Sequence, residues 1–159
     1  MPLVSTALDM ADIAPDSAPG RAVEGRANIF ELTQAAEEAV LRPKDAGAWP
    51  HPLRAALAAR IAYLNDEADL AKRYGDDAGP FLVLADPKET GEAQGLAEII
   101  AFIDKVAADT RHVVAGDVSG LQAAGVADAD IVRLAELNAF LAYQIRVIEG
   151  LRLMKRRSA

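Results

Sequence analysis

The segment DADIVRLAELNAFLAYQIRVIEGLRLM, residues 128–154, decides the fold class. It holds no proline and a single glycine, Gly150, and its acids Asp128 and Asp130 suit the positive end of a helix dipole. Ile131, Leu134, Leu137, Leu141, Ile145 and Ile148 recur at helical spacing, while Val132, Phe140, Val147, Leu151 and Leu153 widen the apolar stripe over most of the perimeter. A long helix of this kind needs cover on several sides, from its own domain and from another subunit, so a homo-oligomer is expected. Just upstream, Gly125 reads as the left-handed cap of a short helix over 117–124, with Val126 as the hydrophobic staple of the next.

The rest of the chain repeats the pattern. Of 159 residues 34 are alanine, and glycine and proline fall mostly between the alanine-rich segments. This predicts one all-α domain over residues 1–159 with about six helices. After a short opening segment closed by Pro15 and Pro19, residues 20–41 read as one amphipathic helix. Val23, Ala27, Phe30, Gln34 and Glu38 lie on one line there, with Ile29, Leu32, Ala36 and Val40 around it. Pro43 ends it. Pro52 opens the next, where a missing N–H costs nothing, and Leu53, Leu57, Ile61 and Leu64 form its stripe. Beyond Asn65 the pattern resumes to Gly75, as one long helix or as two in line. Residues 75–91 are crowded with breakers, so their apolar run from Phe81 to Ala85 reads as a docked loop rather than a helix. Helical spacing returns over 92–110.

Charge and composition remove whole classes of function. A net charge of −7 and a pI near 4.8 oppose phosphate backbones and anionic lipid, so neither nucleic acid nor a membrane surface is an expected partner. No run of about 18 apolar residues occurs. The opening MPLVSTALDMAD lacks a basic region ahead of an apolar core, which leads to a cytoplasmic expectation. With no cysteine, thiolate metal sites and every peroxide chemistry that passes through a sulfenic acid are closed. The two histidines form no zinc motif, no Gly-x-Ser-x-Gly elbow or phosphate loop is present, and no metal or cofactor is expected.

The segments HPLRAALAARIAYLNDEADLAKRY and LQAAGVADADIVRLAELNAFLAYQIRVIEGLRLM resemble the carboxymuconolactone decarboxylase family in its alkylhydroperoxidase-like, peroxidase-related branch. The likeness spans about residues 5 to 154. Its most specific part is the Ala-Gly turn, the acids that start a helix, and then Phe140, Gln144, Arg146, Val147, Gly150 and Leu151. The chain looks like a cysteine-free sub-branch whose members accompany, or are fused to, a cysteine-containing peroxidase domain. The resemblance implies an all-helical, oligomeric fold and, in active members, a Cys-x-x-Cys pair, a His four residues on and an upstream Glu. Placed on the family helix, the cysteine positions fall near Glu67 and Leu70, the His near Tyr74 and the Glu near Ala55. Tyr74 cannot replace imidazole at neutral pH, because its ordinary pKa is about 10 against about 6.5 for His.

Three functional expectations follow from the resemblance. The first is a binding protein or partner, taking a small anionic ligand or a cysteine-containing alkylhydroperoxidase-like chain that carries the thiol cycle. The second is a non-thiol enzyme of decarboxylase or isomerase type on a small anionic or lactone metabolite. There Arg54, Arg60 and Arg146, with Asn138 beside the last, would bind carboxylate, and His51 or His112 would carry the proton, with Tyr74 a further candidate. The third is a purely structural subunit. Each candidate also has a plain reading: Arg146 paired with Glu136 or Glu149, the other arginines solvated, His112 at a helix end, and Trp49 plugging a helix gap.

Overall fold

A computed structural model describes residues 3–157. It is helical, with no strand among the described residues. The elements are α1 (Thr6–Ala11), α2 (Ala18–Glu24), α3 (Ala27–Leu41), α4 (His51–Leu64), α5 (Ala68–Gly75), α6 (Ala97–Ala108), α7 (Ala115–Ala123) and α8 (Asp128–Arg157), with 3-10 turns at Gly79–Ala85, Glu92–Gln94 and Thr110–His112. The sequence led to about six helices; the extra ones come from the amino-terminal region and from breaks inside two expected helices.

Helix α4 is the centre. Every residue from Leu53 to Ala62 is buried, and the alanines at 55, 56, 58, 59 and 62 let α5, α8, α6, α3 and the 79–85 turn approach it closely. The expected single stripe is thus a helix covered all round. Its end is a Schellman cap. The Glu67 and Asp66 amides donate to the Ala62 and Tyr63 carbonyls, and Asp66 takes the left-handed conformation (φ 61°) where glycine is usual. This settles the choice at Asn65 in favour of two helices.

Helix α8 is about 45 Å long at 1.5 Å per residue. It touches α1, α2, α3, α4, α6 and α7, so the chain itself covers much of the wide apolar perimeter. Its start is as expected: Gly125 (φ 86°) caps α7, with the Val126 amide reaching the Leu121 carbonyl. The indole of buried Trp49 donates to the Asp130 carbonyl at 2.8 Å and plugs the gap between the α4 entry and α8.

The expected helix over 20–41 is broken at Gly25 and Arg26. Ser17 caps α2 through the Gly20 amide, and a Cβ on Gly20 would run into the Ala14 and Pro15 carbonyl oxygens. The buried face of α3 is Phe30, Thr33, Glu37 and Leu41, while Leu32 and Ile29 are 65% and 45% exposed. The helix is therefore rotated from the line expected through Gln34 and Glu38. Residues 79–85 form a 3-10 turn, not an irregular loop, and α6 begins at Ala97 because left-handed Gly91 and Gly95 bound a separate turn before it.

Candidate functional site

The three arginines expected to form a carboxylate fork do not meet. Arg54 is 2% exposed and spends its guanidinium on backbone: Nε donates to Trp49 O (2.8 Å), Nη1 to Val40 O (2.9 Å) and Nη2 to Ala46 O (2.9 Å). Burial, and secondarily the charge of Arg133, pull its pKa down. Arg60, 1% exposed, holds Asp104 through Nε (2.6 Å) and Nη2 (2.7 Å). It also donates to the carbonyls of Leu84 (3.0 Å), Asp86 (2.6 Å) and Pro87 (3.1 Å). Arg146 is exposed and turns back to Ala142 O of its own helix at 3.0 Å. Glu149, one of its expected partners, pairs with Arg152 instead (2.5 Å). Two of these cations are internal ties of the fold, and the third lies on solvent.

The proton-carrier candidates are equally separate. His51 is exposed, with Nε2 2.9 Å from Pro43 O. His112 is exposed in the 110–112 turn, its Nδ1 2.6 Å from Asp109. Asn138 is buried, and neither side-chain polar atom has a hydrogen-bond partner among the described residues. Of the positions matched to the family cysteines, Glu67 is buried and accepts from Arg152 Nη1 at 2.7 Å, and Leu70 is fully buried.

Tyr74 does join a constellation, one that sequence reasoning missed. Its hydroxyl donates to Gln144 Oε1 (2.6 Å), Gln144 Nε2 donates to Glu37 Oε2 (2.6 Å), and Thr6 Oγ1 donates to Glu37 Oε1 (2.8 Å). Four helices, α1, α3, α5 and α8, are pinned by this buried chain. Burial and then the nearby Glu37 charge push the Tyr74 pKa up, so the phenol stays protonated and acts as a donor. The Thr6 amide donates to Gln34 Oε1 at 2.9 Å, which fixes the start of α1 on α3. The only sequence signals for this network are polar residues at positions 37 and 144 within apolar surroundings.

Between α1, α2 and α3 lies a groove of about 890 Å³. Its wall is aliphatic, with Leu8, Ile13, Val23, Ala27 and Ala35, and Gln34 lies at its side. It lies where the expected helix over 20–41 is interrupted at Gly25 and Arg26, so that α1, α2 and α3 each contribute to its wall. Carboxylates of Asp9, Glu24, Glu31 and Glu38 line it too, and no Lys, Arg or His among the described residues does. A second hollow of about 440 Å³ lies at Tyr63, Leu82 and Pro87. Among the described residues no group of three or more His, Asp or Glu side chains is placed to hold a metal ion, and no helix is long and apolar enough to cross a membrane.

No family model, no curated protein and no solved structure matches this chain.

Proposed function

We propose that the chain is a cysteine-free relative of the alkylhydroperoxidase-like proteins that works in the cytoplasm by binding a small molecule, any thiol cycle belonging to a partner chain. The observation that carries this reading is the groove between α1, α2 and α3, whose volume and aliphatic wall match those of small-molecule pockets. The candidate catalytic groups argue the same way, because the buried arginines are bonded to backbone and the histidines stand apart on solvent. A carboxylate substrate has no fork of guanidiniums to enter. The ligand is therefore apolar in its main part, not the small anion expected from sequence.

The test uses Nile red, a neutral apolar dye whose fluorescence rises in an apolar pocket. Saturable binding is expected, and Ala35→Trp, which fills the groove from an exposed position of α3, should weaken it at least about tenfold. Absence of binding, or binding indifferent to Ala35→Trp, overturns the proposal. A second reading, a structural subunit of a homo-oligomer, is favoured by Tyr63 and Leu82, which are 43% and 53% exposed at the smaller hollow, and by Val83, next to Leu82 in the chain and 45% exposed. Sedimentation of Leu82→Glu against the unaltered chain tests it: a loss of mass supports self-association there, and a monomer in both cases refutes it.

A further inference from the structure

Resting on the groove reading, we propose that the ligand is a small organic cation with an aliphatic body, of alkylammonium type. The groove combines two surfaces. Leu8, Ile13 and Val23 offer the aliphatic wall, and among the described residues four carboxylates offer the only charged side chains lining it. Those four are not equivalent. Glu38 is already held by Arg42 through two bonds of 2.5 and 2.8 Å, and Asp9 has Arg73 at 3.9 Å. Glu24 and Glu31 have no ion-pair partner among the described residues, so their charge is uncompensated by the protein.

Placement follows from the helices. Ala27, Glu31, Ala35 and Glu38 recur at helical spacing along one face of α3, so small apolar steps alternate with carboxylates down the groove. Glu24 is the last residue of α2. A ligand whose chain lies over Leu8, Ile13 and Val23 can set its ammonium against Glu24 and Glu31. A fatty acid or other anionic amphiphile would find the same wall but meet like charge, reinforced by the net charge of −7.

Three probes of equal chain length separate the terms: octyltrimethylammonium, octanol and octanoate, each titrated by calorimetry at low ionic strength. The expected order is cation, then alcohol, then carboxylate, with the cation about tenfold tighter than octanol and its advantage reduced by added salt. The variant Glu24→Gln/Glu31→Gln, both positions exposed, should bring the cation to the affinity of octanol and leave octanol unchanged. If octanol binds and is blocked by Ala35→Trp but the cation gains nothing over it, the cation inference fails while the groove reading stands. If none of the three binds, both fail. A dimer that dissociates on Glu24→Gln/Glu31→Gln would assign the groove to the last turn of α8 from a second copy, where Lys155, Arg156 and Arg157 lie, and that too overturns the proposal.

Discussion

Replacing Arg60 with methionine separates an internal tie from a binding group most sharply. The side chain is 1% exposed and makes five hydrogen bonds, two to Asp104 and three to the carbonyls of Leu84, Asp86 and Pro87. Methionine keeps most of the apolar stem but leaves those acceptors without their donor. An unsatisfied buried acceptor costs about 1–3 kcal/mol, and removal of one partner from a buried ion pair about 3–5 kcal/mol. Asp104 is 32% exposed in its side chain and recovers water, and the 84–87 backbone can shift, so the total is about 3–5 kcal/mol rather than the full sum. Against a domain stability of about 5–15 kcal/mol this is large. With a urea slope of about 2 kcal/mol per molar, the unfolding midpoint followed by helical circular dichroism should fall by about 2 M. Amide exchange over 79–87 should speed up well before global unfolding, because Arg60 clamps that segment onto α4. If Arg60 were instead held for a substrate carboxylate, its removal would relieve buried charge and leave stability level or raised. A loss below about 1 kcal/mol with exchange over 79–87 unchanged would refute the structural assignment.

Other consequences are smaller. Asp66→Gly removes the side chain from a left-handed position at which that side chain makes no hydrogen bond of its own, so it should stabilise by about 0.5–1 kcal/mol in thermal unfolding. Tyr74→Phe deletes the donor to fully buried Gln144 and should cost about 1–3 kcal/mol while leaving Nile red binding intact, since Tyr74 lies outside the groove. Stability should also decline in acid. The carboxyls of Asp12, Glu38, Asp117 and Glu149 are held below their ordinary values of 3.8 and 4.5, chiefly by hydrogen bonds from Lys155, Arg42, Lys105 and Arg152. A depressed folded-state pKa means the contribution is complete above the ordinary value and lost as pH falls through the lower one. Urea midpoints should therefore be level from about pH 6 to about pH 9 and drop below about pH 4.5, whereas a maximum near pH 4 would contradict these pairs.

The elements best legible in the chain were those bounded by local chemistry. Pro52 in the first turn of α4, Gly125 as a left-handed cap and Asp128 with Asp130 at the start of α8 each act within a few residues, and each stands where expected. The interruption at Gly25 was not legible. A glycine within a periodic pattern costs only about 1 kcal/mol, too little to mark a helix end, and the close approach of the Gly20 backbone to the Ala14 and Pro15 carbonyls involves residues upstream of the periodic segment. The candidate arginines misled for a related reason. An arginine bound to main-chain carbonyls leaves no partner residue type in the sequence, and Asp104, the carboxylate that Arg60 also holds, lies 44 positions away, so Arg54 and Arg60 read there as solvated or as anion binders. Glu37 and Gln144 lie 107 positions apart and meet only because α3 and α8 pack side by side. The groove shares that origin, since its wall comes from three helices whose relative turns were not written in any one of them.

Methyl resonances of isoleucine, leucine and valine, followed during a Nile red titration, test the groove most directly. Saturable shifts are expected at Leu8, Ile13 and Val23, with Leu134 and Ile148 in the core and Leu82 at the far hollow unmoved. Shifts concentrated at Leu82 and Val83, with the α1 to α3 methyls silent, would contradict it.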